Sequence, residues 1–342
     1  MGGFFGLEVP EASQPENGLA AAWKIAGPRL AWTNATSALA ALVVHLGPGS
    51  VWLPGYICAS ILAAVPGRAL RFFPLREDMS PEIAAMQGRL SPGDMVLAVN
   101  MFGRDPGAEW RAFVKDHPSV TFVEDCAQAL DTSVTPWGDW RLFSPRKLLG
   151  VPEGGLLAAV SGQARAQSAD LRGPSEAADP ADVMARLGAA LSRLERPDEN
   201  DLWHTVHQSS EAGLALSGRA MSRLSWALLA ARDSKPLAAA RRRNFRQLAV
   251  RLARHAVLPE VDPAFVPFGF PISLPPDVRE RVRGRLHARR IFPAVHWSEI
   301  PAPPDFEADH ARARSLLTLP CDHRYGLADM EFLADSFLEA ST

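Results

Sequence analysis

The sequence predicts an α/β fold, in which a large domain with a mostly parallel central sheet is followed by a small C-terminal α+β domain. Between residues 32 and 124 short apolar runs alternate with helical segments, the pattern of a parallel sheet covered by helices on both faces. Residues 162–256 are helical in pattern, and from residue 269 onward short strands and helices alternate again. The expected parts are an N-terminal arm, a large domain and a small domain, at residues 1–11, 12–232 and 233–342.

The elements of the large domain follow from apolar runs and helix signals. A helix begins at Asn34 or Thr36, continues through the apolar run ALAALVVHL and ends before Gly47-Pro48-Gly49. The other helices predicted before residue 120 are 17–26, 57–65, 81–88 and 108–115. The predicted strands are 51–53, 69–73, 95–99 and 120–124. Ligands bind beyond the carboxyl ends of the strands in such sheets, and Asn100 and Asp125 follow two of those ends.

The C-terminal part begins with a basic amphipathic helix at residues 234–256. No second basic patch or interleaved aromatic residues accompany it, which favours a solvated helix face over a nucleic-acid site. The predicted strands that follow are 269–274, 291–296 and 316–319, and the predicted helices are 276–289 and 327–339.

Composition narrows the class of protein. The chain has 342 residues, 22% of them charged, and a net charge of −2, so neither nucleic acid nor a membrane is expected as a partner. Its three cysteines fit a reducing compartment, no Cys/His spacing indicates a metal site, and no signal peptide or membrane span is expected. The expected location is therefore the cytoplasm. Lysine is rare and occurs at four positions, Lys24, Lys115, Lys147 and Lys235.

Residues 122–155 contain an acid and a lysine in an order that suits pyridoxal phosphate (PLP). Asp125 follows an apolar strand, and Lys147 comes 22 residues later, shortly before Gly154-Gly155. PLP requires a lysine that bonds to it covalently and a carboxylate that keeps its pyridine nitrogen protonated. It also requires a phosphate cradle, usually at the start of a helix. Asp125 suits the carboxylate and Lys147 suits the covalent lysine.

Three hydroxyl residues are candidates for the phosphate cradle. Thr36 and Ser37 begin the apolar helix, and Ser144 lies three residues before Lys147. Each candidate also has a simpler explanation: Asp125 as a helix cap, Lys147 as a surface lysine, and the hydroxyls as caps. The order of a helix start, an acid after a strand and a lysine before Gly-Gly is more specific for PLP than any one of these residues.

This order resembles the DegT/DnrJ-type sugar aminotransferases, PLP enzymes of fold type I, over most of the chain. The family's phosphate motif S-G-T-x-A-L resembles NATSAL at 34–39, and its E-D-A-A-Q/H-A motif resembles EDCAQA at 124–129. Its lysine motif S-F-x-x-x-K-N-L-x-x-G-E-G-G resembles SPRKLLGVPEGG at 144–155, two residues shorter before the lysine. Further similar segments are 49–58, 99–103 and 319–323.

The resemblance implies a role for each candidate. Lys147 would carry the cofactor, Asp125 would pair with the pyridine nitrogen, and Gln128 would contact the ring or its 3-oxygen. The phosphate would be held by hydroxyl and backbone groups of Ala35, Thr36, Ser37 and Ser144. Glutamate is the family's usual amino donor, and a nucleotide-linked keto sugar is its usual acceptor. Family sites lie at a subunit interface, so a homodimer is expected.

Some positions depart from the family pattern. Cys58 stands where the family has an aromatic residue stacked on the cofactor ring, and Tyr56, two residues away, is a possible substitute or plain core. Asn100 replaces the family's histidine after the third strand and is a candidate substrate contact. The segment 218–222, the nearest match to the family's Gly-Tyr-Asn-Tyr-Arg, lacks the asparagine that reaches the partner's site.

Two further residues are candidate substrate contacts. Trp137 either lines the mouth of the site or fills the core. His296 follows a predicted strand of the small domain, where the family places substrate contacts, and packing is the alternative role.

The sequence thus predicts a PLP-dependent aminotransferase that moves an amino group from an amino acid such as glutamate to a nucleotide-linked keto sugar or related carbonyl compound. A PLP-dependent dehydratase or eliminase is the second hypothesis. It is less favoured, because some relatives replace the lysine with histidine for that chemistry and Lys147 is present. A catalytically silent PLP-binding regulatory protein on the same scaffold is the third. A dinucleotide-binding dehydrogenase is disfavoured because no G-x-G-x-x-G follows an early strand.

Overall fold

The computed structural model describes residues 1, 18–25, 27–130, 135–212, 215–258 and 265–342. Apart from Met1, the expected N-terminal arm at 1–11 lies outside these residues. The strands are β1 (Ala31–Trp32), β2 (Ser50–Pro54), β3 (Ala69–Phe73), β4 (Met95–Val99), β5 (Thr121–Asp125), β6 (Trp140–Phe143), β7 (Gly155–Ala159), β8 (Phe270–Ser273) and β9 (Leu316–Leu319). The helices are α1 (Leu19–Ala22), α2 (Ala35–Leu46), α3 (Ala108–Lys115), α4 (Gly162–Asp170), α5 (Pro180–Glu195), α6 (Asn200–Ala212), α7 (Arg223–Ala230), α8 (Ser234–Leu252), α9 (Pro276–Ala288), α10 (Glu307–Ser315) and α11 (Leu327–Ser341).

Seven strands form the central sheet, in the order β1-β7-β6-β5-β4-β2-β3. Among these described strands, β7 alone runs in the opposite direction to the others. It pairs antiparallel with β1 and β6. Parallel pairing of β4 with β5 places Val99 beside Asp125, so the carboxyl ends of the two strands lie at one edge of the sheet. The predicted α/β fold with a mostly parallel sheet is confirmed.

The central sheet is covered on both faces. Every residue of β4 is buried, as expected for an inner strand of a parallel sheet. Large aromatic side chains such as Trp52, Trp110 and Phe122 fill the surrounding core. The two-stranded sheet β8-β9 has a separate core, in which Phe270 and Leu317 pack with Phe337 of α11.

The start of α2 is fixed against β7. The Asn34 side chain caps the helix, its Oδ1 accepting a hydrogen bond from the Ser37 backbone N–H at 2.8 Å. A Cβ atom at Gly155 would lie 2.0 Å from the carbonyl carbon of Asn34 and 2.2 Å from the nitrogen of Ala35. Glycine therefore lets the first residue of β7 approach the helix start closely.

Three predicted elements differ in type from the structure, and the helix expected at 17–26 is shorter, at Leu19–Ala22. The helices expected at 57–65 and 81–88 are short 3-10 turns at Ala59–Ala64 and Ile83–Ala85, because nearby proline and glycine leave too few residues for a stable α-helix. The strand expected at 291–296 makes a single bridge, from Ala294 to Thr318. Pro293 lacks the N–H that a ladder would need there.

Among the described helices, none combines the length and the apolar character needed to cross a membrane. The described part of the chain likewise contains no group of three or more His, Cys, Asp and Glu residues that could hold a metal ion.

Candidate active site

A cavity of about 500 Å³ is walled by the start of α2, the turn after β6, helix α6 and the small domain. This volume is in the range of small-molecule sites, roughly 300–1,000 Å³. Seven of the residues predicted from the sequence line it: Ala35, Thr36, Cys58, Gln128, Ser144, Lys147 and His296.

Lys147 ends the 3-10 turn that follows β6 and is half-buried in the cavity wall. Its ammonium group forms no hydrogen bond or salt bridge with any residue that the structure describes. Its positive charge nevertheless acts on two neighbours, Asp125 and His296, and lowers the pKa of each. Lys147 is therefore an amine available for covalent chemistry, with an acid and an imidazole nearby.

Asp125 is the last residue of β5 and is buried close to Lys147, without lining the open cavity itself. Burial raises the pKa of its carboxyl group, and the Lys147 charge opposes that rise. Oδ1 accepts a hydrogen bond from the Ala127 backbone N–H at 2.8 Å, while Oδ2 has no partner within the described part of the chain. A cationic group beside Oδ2 would offset the cost of burying this charge.

The first turn of α2 presents backbone donors to the cavity. The N–H groups of Ala35 and Thr36 have no acceptor inside the helix, and both residues line the cavity. The Ser144 hydroxyl also lines it and has no partner among the described residues. Backbone donors and hydroxyls at a helix N-terminus form a site for a phosphate.

Ser37 is not brought to this cavity. Its backbone N–H donates to Asn34, and its hydroxyl accepts a hydrogen bond from the Ser217 backbone N–H at 3.1 Å. It lines a neighbouring cavity on the other side of the helix start. The N–H and hydroxyl groups of Ser37, which were expected to bind the phosphate, instead bond to Asn34 and Ser217 and hold the start of α2 in place.

The aromatic wall of the cavity differs from the expected one. Tyr56 is buried and does not line the cavity; its ring packs on Trp297, with the ring centroids 4.8 Å apart. Trp297 does line the cavity, as does Cys58, whose Sγ lies 3.0 Å from the Ser60 hydroxyl. Gln128 accepts a hydrogen bond from the Phe102 backbone N–H at 2.6 Å through Oε1, which leaves its amide N–H groups as donors.

Asn100 and Trp137, both expected to contact the substrate, lie instead in a buried network. Trp137 Nε1 donates to Asn100 Oδ1 at 3.0 Å, and Asn100 Nδ2 donates to Glu124 Oε1 at 3.0 Å. Glu124 also pairs with Arg141 at 3.1 Å, both side chains being 2% exposed. Neither Asn100 nor Trp137 lines the cavity, because this network uses their polar atoms to join β4, β5 and β6.

His296 lines the cavity from the small domain. Its ring lies near Phe102 and Phe268, at centroid distances of 5.7 and 5.5 Å, and its Nε2 is buried without a hydrogen-bond partner among the described residues. Burial, helped by the charge of Lys147, lowers the pKa of this imidazole to about 4. His296 is thus neutral at pH 7, with an unpaired nitrogen that a ligand can satisfy.

Ionisable residues that sequence reasoning missed line the same cavity: Arg146, His207, Glu211, Asp322 and Arg324. Arg146 pairs with Glu211 at 2.7 Å, and Asp322 pairs with Arg324 at 2.7 Å. One signal was available in the sequence, since His207 and Glu211 are four residues apart and so lie on one face of α6. The pairing of Arg146 with α6 crosses 65 residues and has no local signal.

These features fit PLP. Lys147 provides an unpaired amine, Asp125 a buried carboxylate, and the start of α2 a set of open donors beside the Ser144 hydroxyl. At position 58 the cavity has Cys58 and no aromatic side chain.

No family model matches the sequence, and neither does any curated protein. Solved structures, by contrast, match along nearly the whole chain. Spr1654 of Streptococcus pneumoniae in its PLP form is 14% identical, with 99% of this chain and 93% of that chain covered and a TM-score of 0.68. A DegT DnrJ EryC1 StrS aminotransferase from Brucella abortus is 15% identical, covering 90% of this chain and 84% of that chain with a TM-score of 0.60.

DesI, solved in the presence of its TDP-sugar product, is 20% identical, with 94% of this chain and 83% of that chain covered and a TM-score of 0.63. The chain has the fold of these aminotransferases. At such identities the likeness shows the architecture, and the chemistry of the site has to be argued from its own residues.

Proposed function

We propose that this chain is a PLP-dependent aminotransferase of the DegT/DnrJ type. It would move an amino group from an amino acid such as glutamate to a nucleotide-linked keto sugar or a related carbonyl compound. The observation that carries the proposal is the unpaired Lys147 ammonium beside the buried Asp125, in a cavity that opens onto the start of α2.

When bound, PLP supplies an electron sink that makes a hydrogen on the substrate's amino-bearing carbon acidic. Asp125 would keep the pyridine nitrogen protonated, which relieves the cost of its own burial. Lys147 would hold the cofactor at rest and, once released by the amino donor, take up and return the substrate proton. Ala35, Thr36 and Ser144 would bind the phosphate.

Two neutral side chains would orient the cofactor and the substrate. The amide N–H groups of Gln128 are directed away from the bond that its Oε1 makes, and they would donate to the cofactor ring's oxygen. The unpaired Nε2 of His296 would bond to the substrate. Trp297 and Cys58 would contact the ring from the cavity wall, Trp297 supplying the aromatic surface that Cys58 lacks.

We also propose an acceptor class, a homodimer, a cellular location and a domain boundary. The structural similarity to DesI, which was solved in the presence of its TDP-sugar product, supports a nucleotide-linked sugar as acceptor. A homodimer is supported by the family resemblance, in which sites lie at a subunit interface. A cytoplasmic location is supported by three free cysteines, two of them buried. The domain boundary at 232/233 is supported by the separate core around β8 and β9.

Amino transfer is the direct test. Purified protein saturated with PLP should show a visible absorption band, and it should form 2-oxoglutarate from glutamate when a nucleotide-linked keto sugar is supplied. Lys147→Ala should abolish both, whereas Lys115→Ala, which changes an exposed lysine of α3, should leave both intact. A PLP-saturated protein without the visible band would refute the proposal.

A catalytically silent PLP-binding protein is the second candidate. The observations that favour it are Cys58 in the cavity and the missing asparagine in residues 218–222. Tight PLP binding through Lys147 without turnover of any amino donor would support this alternative. Release of ammonia in place of 2-oxoglutarate would instead indicate a dehydratase or eliminase.

A further inference from the structure

Arg146 directly precedes Lys147 and lines the same cavity. Its guanidinium group is only partly used. Nη1 contacts both carboxylate oxygens of Glu211, at 2.8 and 2.7 Å. Nε is buried without a partner, and Nη2 forms no hydrogen bond within the described part of the chain. Nη2 is therefore an unused donor in the described part of the chain, whereas Nη1 is occupied by Glu211.

A guanidinium group with an unused donor suits an oxyanion, and a carboxylate that uses Nη1 and Nη2 together has to replace Glu211 on Nη1. Arginine binds carboxylates through two parallel N–H···O bonds, and a buried donor left without a partner is costly. The Arg146 and Glu211 side chains are 21% and 33% exposed, so solvent reaches their ion pair and screens it in part. Glu211 is thus a counter-ion that an incoming carboxylate can displace.

The surrounding charges leave Arg146 as the better anion receptor. Arg324 is paired through Nε and Nη2 with both oxygens of Asp322, at 2.7 and 2.8 Å. Burial lowers the pKa of His207 to about 4, so this neighbour on α6 is neutral at pH 7. Lys147 would be engaged covalently with the cofactor bound. Arg146 therefore keeps both a charge and free donors beside the reacting amine.

We propose that Arg146 binds the carboxylate of the amino donor and that Glu211 competes with that carboxylate. This proposal rests on the proposed function, which requires an amino acid to react beside Lys147. The donor would displace Glu211 from Arg146. When the carbonyl acceptor takes its place, without a carboxylate at the reacting carbon, Glu211 would return and neutralise Arg146. One cavity could then accept two substrates of different charge.

The test compares two variants whose effects should have opposite signs. Arg146→Gln should raise the KM for glutamate about tenfold to a hundredfold, the loss expected for hydrogen bonds to a charged group. Glu211→Gln should lower that KM, because it removes the competitor. If the pair were merely structural, both variants would raise the KM or lower stability together. If Arg146 bound the cofactor phosphate, Arg146→Gln would weaken PLP binding and leave the glutamate KM unchanged. Either result would overturn the proposal.

A binding measurement separates this proposal from the proposed function. Glutarate, a dicarboxylate without an amino group, should bind the PLP-loaded protein in calorimetry, more weakly to Arg146→Gln and more tightly to Glu211→Gln. Glutaramide, its uncharged analogue, should not discriminate among the three proteins. Equal glutarate affinity for wild type and Arg146→Gln, or no glutarate binding to wild type, would refute the role of Arg146. A protein that takes up no PLP would refute the proposed function alone, since glutarate binding can be measured without cofactor.

Discussion

The ammonium group of Lys147 lies close enough to the carboxyl group of Asp125 to oppose the rise in pKa that burial imposes on that carboxyl group. Two residues separated by 22 positions in the chain are thus brought together by the parallel pairing of β5 with β6 and by the turn that follows β6. An unpaired amine and a desolvated acid in one place are costly to the fold alone. A cofactor that contacts both would remove that cost.

Asp125→Asn should leave the fold intact and remove the charge. We expect amino transfer to fall by about 10²–10³-fold, the usual effect of deleting one electrostatic contact to the reacting system. Without cofactor the variant should be more stable than wild type at pH 7. The pKa of Asp125 is raised in the folded state, so wild type loses stability as the pH rises from the unfolded to the folded pKa. Denaturant unfolding of the cofactor-free proteins measures this, with the exposed Asp116→Asn as the neutral control. Equal activity in Asp125→Asn and wild type would contradict the assigned role.

Gly155→Ala should damage the helix start. A Cβ at this position would meet backbone atoms of Asn34 and Ala35, which cannot move without shifting the first turn of α2. We expect a loss of at least about 1–3 kcal/mol in the free energy of unfolding and weaker PLP binding in absorbance titrations. Gly162→Ala is the matched control, because a Cβ there meets no atom within 4 Å. An unchanged PLP affinity in Gly155→Ala would argue against a phosphate site at this helix start.

The buried pair Glu124 and Arg141 should stabilise the strand next to Asp125. Arg141→Met leaves a carboxylate buried without its cation, so we expect a loss of about 3–5 kcal/mol in the free energy of unfolding. The double variant with Glu124→Gln should recover part of the loss. Arg196→Met breaks a pair whose side chains are 61% and 54% exposed, and it should cost no more than about 1 kcal/mol. Similar losses for the two arginine variants would show that burial does not govern these pairs.

His296 should make the cofactor-free protein less stable in acid. Its folded-state pKa is about 4, below the ordinary value of 6.5, so its contribution to stability is full above pH 6.5 and is lost as the pH falls toward 4. Between pH 7 and pH 5 we expect a loss of about 1–2 kcal/mol that His296→Gln removes. The exposed His204→Gln should keep the wild-type pH dependence. Parallel pH curves for wild type and His296→Gln would exclude the burial of a neutral imidazole.

The sequence predicted the parallel sheet because its strands are simple apolar runs; β4 and α3 have the predicted bounds. It did not predict β6, whose apolar run is interrupted by Arg141, a charge that only its pairing with Glu124 makes compatible with burial. It predicted a strand at 291–296, but this segment makes a single bridge, because Pro293 lacks the N–H that further pairing needs. Local composition therefore predicted the strands whose buried residues are apolar. It failed for a strand in which a charged residue is buried against a partner far away in the sequence.

Site residues marked by local sequence signals were likewise predicted, and those that depend on distant packing were not. Ala35, Thr36, Ser144 and Lys147 line the cavity as expected. The first two begin α2, and the other two flank the turn after β6, so local sequence signals were enough to find them. Asn100 and Trp137 do not, because each satisfies the other's polar atoms in the core. Arg146 and Glu211 were missed. Their contact depends on where α6 packs, and neither local sequence indicates that position.

Reduction of the PLP-loaded protein with borohydride, followed by peptide mapping, tests the central assignment most directly. The chain has four lysines, Lys24, Lys115, Lys147 and Lys235, so the position of the reduced cofactor is easily resolved. We predict that the added mass lies on the peptide containing Lys147 alone, and that Asp125→Asn retains the label at the same position. A label on another lysine, or a fully PLP-saturated protein in which no lysine becomes labelled, would contradict the account.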